Sequence, residues 1–276
     1  SFLRSTGAAE EALLREQFSV PLLGPAQFYR EHAFPRLQEM DNQLQMRLAL
    51  AVLEQLPALA EEDPSFVAVA SATPFVPTST SLRTPASLFD PDNARLCELL
   101  GEGSDCFPLP EVHSAPGAPA SLQQLGMQSQ LGGSAILQAA ELVAESAGSR
   151  ESDTDVPPRP QTIETLMEEL ERMAERGEGG EGFWSSMQAV EWCPAMRDPP
   201  AAGLPWAQSE AVVALPRLCR PAADAWLVSS CMRLVDGPVS QALAARMGWA
   251  GPPPANVLAA QLHELGKGNP HGTVSE

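Results

Sequence analysis

Hydrophobic residues at 44, 48, 52 and 56, joined by Leu53 and Leu59, recur every three to four positions. That spacing predicts a long amphipathic helix in the first half of the chain. Ile163, Leu166, Met167, Leu170 and Met173 draw a second stripe of the same kind, with Glu and Arg on its opposite face. Residues 7–18 read as a short helix with Ala12, Leu13 and Leu14 inward. Pro25 suits the first position of another helix through Phe28, Tyr29 and Phe34, which Pro35 kinks or ends. Two extended stretches interrupt the helices: 73–77 with Leu82 and Arg83, and 191–194 with 212–215. Their prolines confine them to sheet edges or short hairpins. Residues 226–231 fit a strand or the start of a helix equally well.

The two halves echo each other. A shift of 117 lays Phe66 on Phe183, Phe75 on Trp192 and Pro77 on Pro194, and Leu50, Leu53 and Leu56 on Met167, Leu170 and Met173. Further on, a shift of 122 lays Leu125-Gly126-Met127 on Met247-Gly248-Trp249. Each triplet is followed by a Gly- or Pro-rich break and then a helical run, 135–140 against 256–260. Two registers in the same order indicate a duplicated unit. The expected fold is mainly α with small β-hairpin inserts, in two tandem helical units, 1–144 and 161–276. A polar, proline-containing linker, 145–160, joins them.

Composition narrows the class. Over 276 residues there are 27 Pro and 20 Gly, so the elements must be short. The 17 basic residues face 35 acidic ones, a net charge of −18. A surface that acidic repels phosphate, which argues against nucleic acid and anionic membranes as partners. No apolar run reaches the roughly 18 residues that suggest a bilayer span, so no membrane insertion is expected. The five cysteines form no C-x-x-C pair, and no N-x-S/T sequon or secretion leader is recognisable. Reduced thiols in a cytoplasmic protein are the expectation, with Cys193 and Cys231 in apolar surroundings.

Candidate chemistry is sparse. Gly132-Gly133-Ser134 begins like a nucleophile elbow but has Ile at position 136, so Ser134 reads better as a helix N-cap. Cys106 and His113 could form a thiol–imidazole pair, although the sequence shows no base to orient the ring. Gly266-Lys267-Gly268 follows a helix instead of preceding one, which fits a C-cap better than a phosphate loop. His263-Glu264 lacks the second His of a zinc-protease helix. None of His32, His113, His263 and His271 lies near a cysteine in sequence, as a zinc site would favour. The acidic run 168–171 reads as a solvated helix face. Phe183, Trp184 and Trp192 read as core, because Phe183 and Trp192 fall on matched positions of the duplication. No catalytic, cofactor-binding or metal residue is expected, and no cofactor.

Longer phrases carry a resemblance. Residues 225–237, AWLVSSCMRLVDG, with Met247-Gly248-Trp249 and VLAAQLHELGK (257–267), are similar to passages of the sacsin-like proteins of plants and algae. Trp192-Cys193-Pro194 with Gly203-Leu204-Pro205-Trp206 looks like that family's "WCP … LPW" stretch. FYREHAFPRL (28–37), FVPT (75–78) and LFDPDNARLCELL (88–100) look like its recurring segment between ATPase modules. The resemblance implies a non-catalytic scaffold segment of a giant chaperone or co-chaperone. Its implied partners are the ATPase modules of the same chain, client proteins and seventy-kilodalton heat-shock chaperones. The ATPase module itself needs Glu-x-x-x-Asn and Asp-x-Gly-x-Gly. Neither occurs here, since Asp236-Gly237 runs into Pro238. The alternative is a free-standing soluble hydrolase or small-ligand-binding protein that uses the loops near Cys106 and His113.

Overall fold

The structure, a computed structural model, describes residues 23–148, 160–196, 213–229 and 231–268. The helix expected at 7–18 lies outside them. Among the described residues helices dominate, with three two-stranded sheets of two residues per strand, so the fold is mainly α with small β inserts. No helix among the described residues is long and apolar enough to cross a membrane.

The first elements follow from their prolines. Helix α1, Pro25–Phe28, has Pro25 in its first turn. Pro35 does not end the segment. Instead the chain widens into a π turn, Tyr29–Ala33, and tightens into a 3-10 turn, Phe34–Glu39. A proline ring clashes with the carbonyl four residues back, and the widened turn before it accommodates that clash. Asp41 accepts from the Leu44 N–H at 2.8 Å and so caps helix α2, Asn42–Glu62. Val52, Leu53, Leu56 and Leu59 of α2 are buried as the stripe predicts, whereas Leu44 in the first turn is 47% exposed. Helix α3, Phe66–Ala72, completes this core, where Phe34 stacks on Phe66 and Phe75 at ring distances of 5.9 and 5.5 Å.

Pro57 lies inside α2. It has no N–H, so the carbonyl of Leu53, four residues back, loses its helical donor. Ser121 supplies the missing bond, its hydroxyl donating to the Leu53 oxygen at 2.8 Å in a buried setting. Ser121 belongs to helix α6, so the proline creates a bonding site that ties two helices together.

The remaining first-half elements are strands β1, Val76–Pro77, and β2, Leu82–Arg83, then helices α4, Ala94–Leu100, α5, Pro110–His113, and α6, Ala118–Gln124. Strands β1 and β2 pair antiparallel. The second half contains α7, Gly133–Gly148, α8, Pro160–Arg176, α9, Glu181–Ala189, and the antiparallel pair β3, Cys193–Pro194, with β4, Val213–Ala214. It continues with β5, Cys219–Arg220, α10, Ala225–Val228, and β6, Arg233–Leu234, which runs parallel to β5. Helices α11, Gln241–Arg246, and α12, Ala255–Gly268, close it. Residues 226–228 are thus helical.

The two matched glycine turns close their helices with the same backbone bonds, the ordinary ending of a helix at a left-handed glycine, which Gly177 also makes. The amides of Leu125, Gly126 and Met127 donate to Ser121, Gln123 and Leu122; those of Met247, Gly248 and Trp249 donate to Leu243, Ala245 and Ala244. Every donor and acceptor is displaced by the same 122 positions. Gly126 and Gly248 have φ of +106° and +77°, a left-handed turn that lets the helix end in this way. Of the aromatic matches, Phe66, Phe75 and Trp192 are fully buried. Phe183 is only half-buried, and its neighbour Trp184 takes the buried place on α9. The copies also differ in detail. The parallel partner of residue 89 is Gln128, after the left-handed turn, whereas β6 precedes its turn.

The expected division at 144 and 161 needs correction. The chain forms two compact units, residues 1–91 with 103–129, and 92–102 with 130–276. Helix α7 packs on α8, so it belongs to the second unit, and α4 packs on both and joins it despite its early position. Of the expected linker, residues 149–159 lie outside the described residues, while 145–148 are the end of α7 and Pro160 begins α8.

The bond made necessary by Pro57 generates a prediction. Ser121→Ala is expected to cost about 1–3 kcal/mol, the price of a buried carbonyl left unpaired. In a Pro57→Ala background, where Leu53 regains its helical donor, the same change should cost markedly less. Chemical denaturation of the four variants gives the coupling; equal costs in both backgrounds would refute the account.

Candidate functional site

The sequence pointed to Cys106 and His113, and the structure gives His113 a different neighbour. In the first unit α5 ends at His113, and its Nε2 lies 3.3 Å from Oδ1 of Asp90. The other Asp90 oxygen accepts from Gln123 Nε2, on α6, at 3.1 Å. Asp90 itself is placed by the backbone, its N–H donating to the Gln128 carbonyl. Cys106 is buried, and its carbonyl accepts from the Phe89 N–H at 2.9 Å. Asp90 is therefore a carboxylate that could orient the His113 ring, a role for which the sequence offered no candidate. Both side chains of the pair are about a tenth exposed, at 10% and 11%. That much burial favours a cross-link between the 88–90 segment and two helices over a group that meets substrate.

A second polar centre in the same unit shapes the first hairpin. The carboxylate of Asp105 accepts from the Thr78 hydroxyl, the Thr80 N–H at 3.2 Å, the Ser81 hydroxyl at 2.9 Å and Arg83 Nε at 2.7 Å. Burial by itself would raise this carboxyl. The four donors outweigh it and hold the group well below the usual carboxylate range. The loop of the hairpin thus wraps one anion, and the Thr/Ser composition of 78–81 supplies its donors.

The second unit holds the acidic run. The expectation of a solvated face fails at Glu169, whose side chain is 2% exposed. It accepts from Arg95 Nε at 2.8 Å and from Arg172 Nη1 at 2.5 Å, while Arg95 also reaches Glu168 and Glu98. Hydrogen bonds to Glu168, Glu169 and Glu98 push the Arg95 guanidinium further up, so it stays charged throughout. Glu171 accepts from the Ser240 N–H at 2.8 Å, in front of α11. Helix α8 spends its carboxylates on packing.

Other sequence candidates settle as follows. Ser134 lies inside the first turn of α7, one residue past its start, and so does not cap it. Gly266 to Gly268 form the last turn of α12. Trp184 and Trp192 are buried, and their indole N–H groups donate to the carbonyls of Glu178 and Met187 at 3.1 and 2.7 Å. Cys193 is fully buried, but Cys231 is exposed, contrary to the apolar setting expected for it. The sequence missed the neighbour of Cys193. Its thiol meets that of Cys219, and this bond, with burial, pushes Cys193 well above the ordinary thiol range.

Compared with known proteins, the chain matches no family model, no curated protein and no solved structure.

The Asp105 clamp generates a pH prediction. A carboxyl lowered on folding contributes stability that is complete above the ordinary carboxylate range and fades as the pH falls toward its folded value. Asp105→Asn should cost about 2 kcal/mol at neutral pH. Its stability should also fall less steeply than the parent's below about pH 4. Thermal unfolding across pH 2–7 checks both, and parallel curves would count against the clamp.

Proposed function

We propose that this chain is a non-catalytic helical scaffold, a segment of a sacsin-like chaperone that spaces ATPase modules and contacts client proteins. The observation that carries this reading is the recurrence of one backbone frame with different side chains inside it. A frame kept while the side chains inside it change, Phe75 to Trp192 and Met127 to Trp249, is what a spacer requires. A catalytic site would instead demand the same groups at one place. The clusters found so far tie elements together: Asp90 with His113 and Gln123, Asp105 with the hairpin loop, Glu169 with two arginines. The sacsin-like phrases supply the wider setting, with ATPase modules elsewhere in the parent chain and seventy-kilodalton heat-shock chaperones as partners. The five free cysteines support a reducing, cytoplasmic location.

Calorimetric titration with Mg-ATP, combined with an aggregation assay on a heat-unfolding client enzyme, tests the proposal. The expected result is no saturable heat from the chain and slower client aggregation at equimolar chain. Saturable nucleotide binding, or no effect on aggregation, would overturn it.

A further inference from the structure

Asp236-Gly237 belongs to no nucleotide motif, yet it stands apart chemically. Every other aspartate in the sequence is followed by proline or by a residue with a Cβ. An aspartyl carboxyl can be attacked by the main-chain nitrogen of the residue after it, under three conditions. The nitrogen must carry a proton to lose, which excludes proline. No Cβ should crowd its approach, which favours glycine. The carboxyl and the N–H must also be free of native hydrogen bonds that the attack would break.

The fold meets all three at this pair. Asp236 and Gly237 are exposed and form a bend just past β6. Gly237 has a φ of +116°, and a Cβ placed on it would meet nothing within 4 Å. Among the described residues the Asp236 carboxylate takes part in no hydrogen bond or ion pair, and the Gly237 N–H donates to no acceptor. Other aspartates are held: Asp41 by the Leu44 N–H, Asp105 by the hairpin loop, Asp224 by Arg220. The chain on either side of the pair is anchored. The Asp236 N–H donates to the Pro194 carbonyl at 2.9 Å, and the Ser240 N–H to Glu171 at 2.8 Å, in front of α11. Between those two points neither reacting group is engaged.

We propose that Asp236-Gly237 is a site of spontaneous isoaspartate formation in the folded chain, whose product loosens α11 and is an acceptor for a carboxyl methyltransferase. The Gly237 nitrogen gives up its proton and bonds to Cγ of Asp236, and a carboxyl oxygen leaves as water, closing a succinimide ring. Water then reopens the ring. Attack at Cγ restores aspartate. Attack at the main-chain carbonyl carbon leaves the chain running through Cγ, with the α-carboxylate as a side group. No oxidant or cofactor takes part, and the mass is unchanged. The exposed α-carboxylate is the group that accepts a methyl from S-adenosylmethionine, which leaves as S-adenosylhomocysteine. The isomerised backbone is longer by one carbon between two anchored amides. It therefore strains the bond from Ser240 to Glu171 and the seat of α11 on α8. Nothing in this chemistry depends on the scaffold reading.

The full chain, aged at neutral pH, is treated with an isoaspartyl methyltransferase and radiolabelled S-adenosylmethionine. It is expected to take up label that fragmentation maps to residue 236. Its isomerisation rate should lie within about tenfold of that of a free peptide of residues 233–240, because the fold engages neither reacting group. Asp236→Glu, which needs a larger ring, should abolish the label. Asp236→Asn, close to the native side chain in shape, should react faster and release ammonia, which tests access to the site should Asp236→Glu misfold. The isomerised fraction, separated by chromatography, should unfold at a lower temperature than aged Asp236→Glu. Absence of label at 236, a native rate far below that of the peptide, label undiminished by Asp236→Glu, or equal unfolding temperatures would overturn the proposal.

Discussion

Strands two residues long cannot hold themselves together, and the architecture of both units turns on how this is remedied. In the first hairpin the remedy is a partly buried carboxylate: Asp105 gathers the loop hydroxyls, a loop N–H and the Arg83 guanidinium. In the second unit it is a pair of indoles. Trp192 anchors the approach to β3 through the Met187 carbonyl, and Trp249 reaches the Pro216 carbonyl at 3.0 Å, beside β4. The carbonyls of Pro77 and Pro194, matched across the copies, each accept from a distant amide, those of Leu109 and Asp236. A backbone requirement is thus constant while the side-chain chemistry that meets it has diverged.

Helix α8 shows the same economy with charge. Burying a carboxylate is costly unless its partners come with it, and a pair broken on one side costs more than the pair contributes. Glu169 meets that condition with two guanidiniums, one from its own helix and one from α4. Because the contact tolerates little sliding, it sets the register in which α4 lies on α8, a role that apolar packing alone fills less exactly. The proline in α2 works in a comparable way, since the carbonyl it deprives of a donor selects which helix must supply one.

What could be read in the sequence was whatever repeats at short range or in kind. The helical stripes, the hairpin positions and the glycine turn are of this sort, since each depends on spacing or on a residue that suits φ above zero. A shift of 131, which lays β2 on β4 and the 3-10 turn Pro85–Ser87 on Pro216–Leu218, was illegible because Leu88 falls on Cys219 and Phe89 on Arg220, matches of position without matches of chemistry. Glu169 looked solvated because its partner Arg95 lies 74 residues earlier. Asp90 went unnoticed beside His113 for the same reason, with the added obstacle that α5 is a single turn. The half-buried Phe183 shows the limit of the alignment itself. A one-residue rotation of α9 gives the inner place to Trp184, and pattern matching cannot see rotation.

The placement of α4 bears on how the chain comes to fold. Its residues leave the ribosome some sixty positions before α8, so the side of α4 that packs on α8 must wait for that helix to be made. The first unit can close meanwhile, but only by looping 92–102 out of itself. A cut between α7 and α8 would consequently not yield two self-sufficient halves. It would uncover the side of α4 that packs on α8 on one fragment and leave Glu169 with Arg172 but without Arg95 on the other. The polypeptide is stitched rather than beaded, and its natural seams do not coincide with its polar stretches.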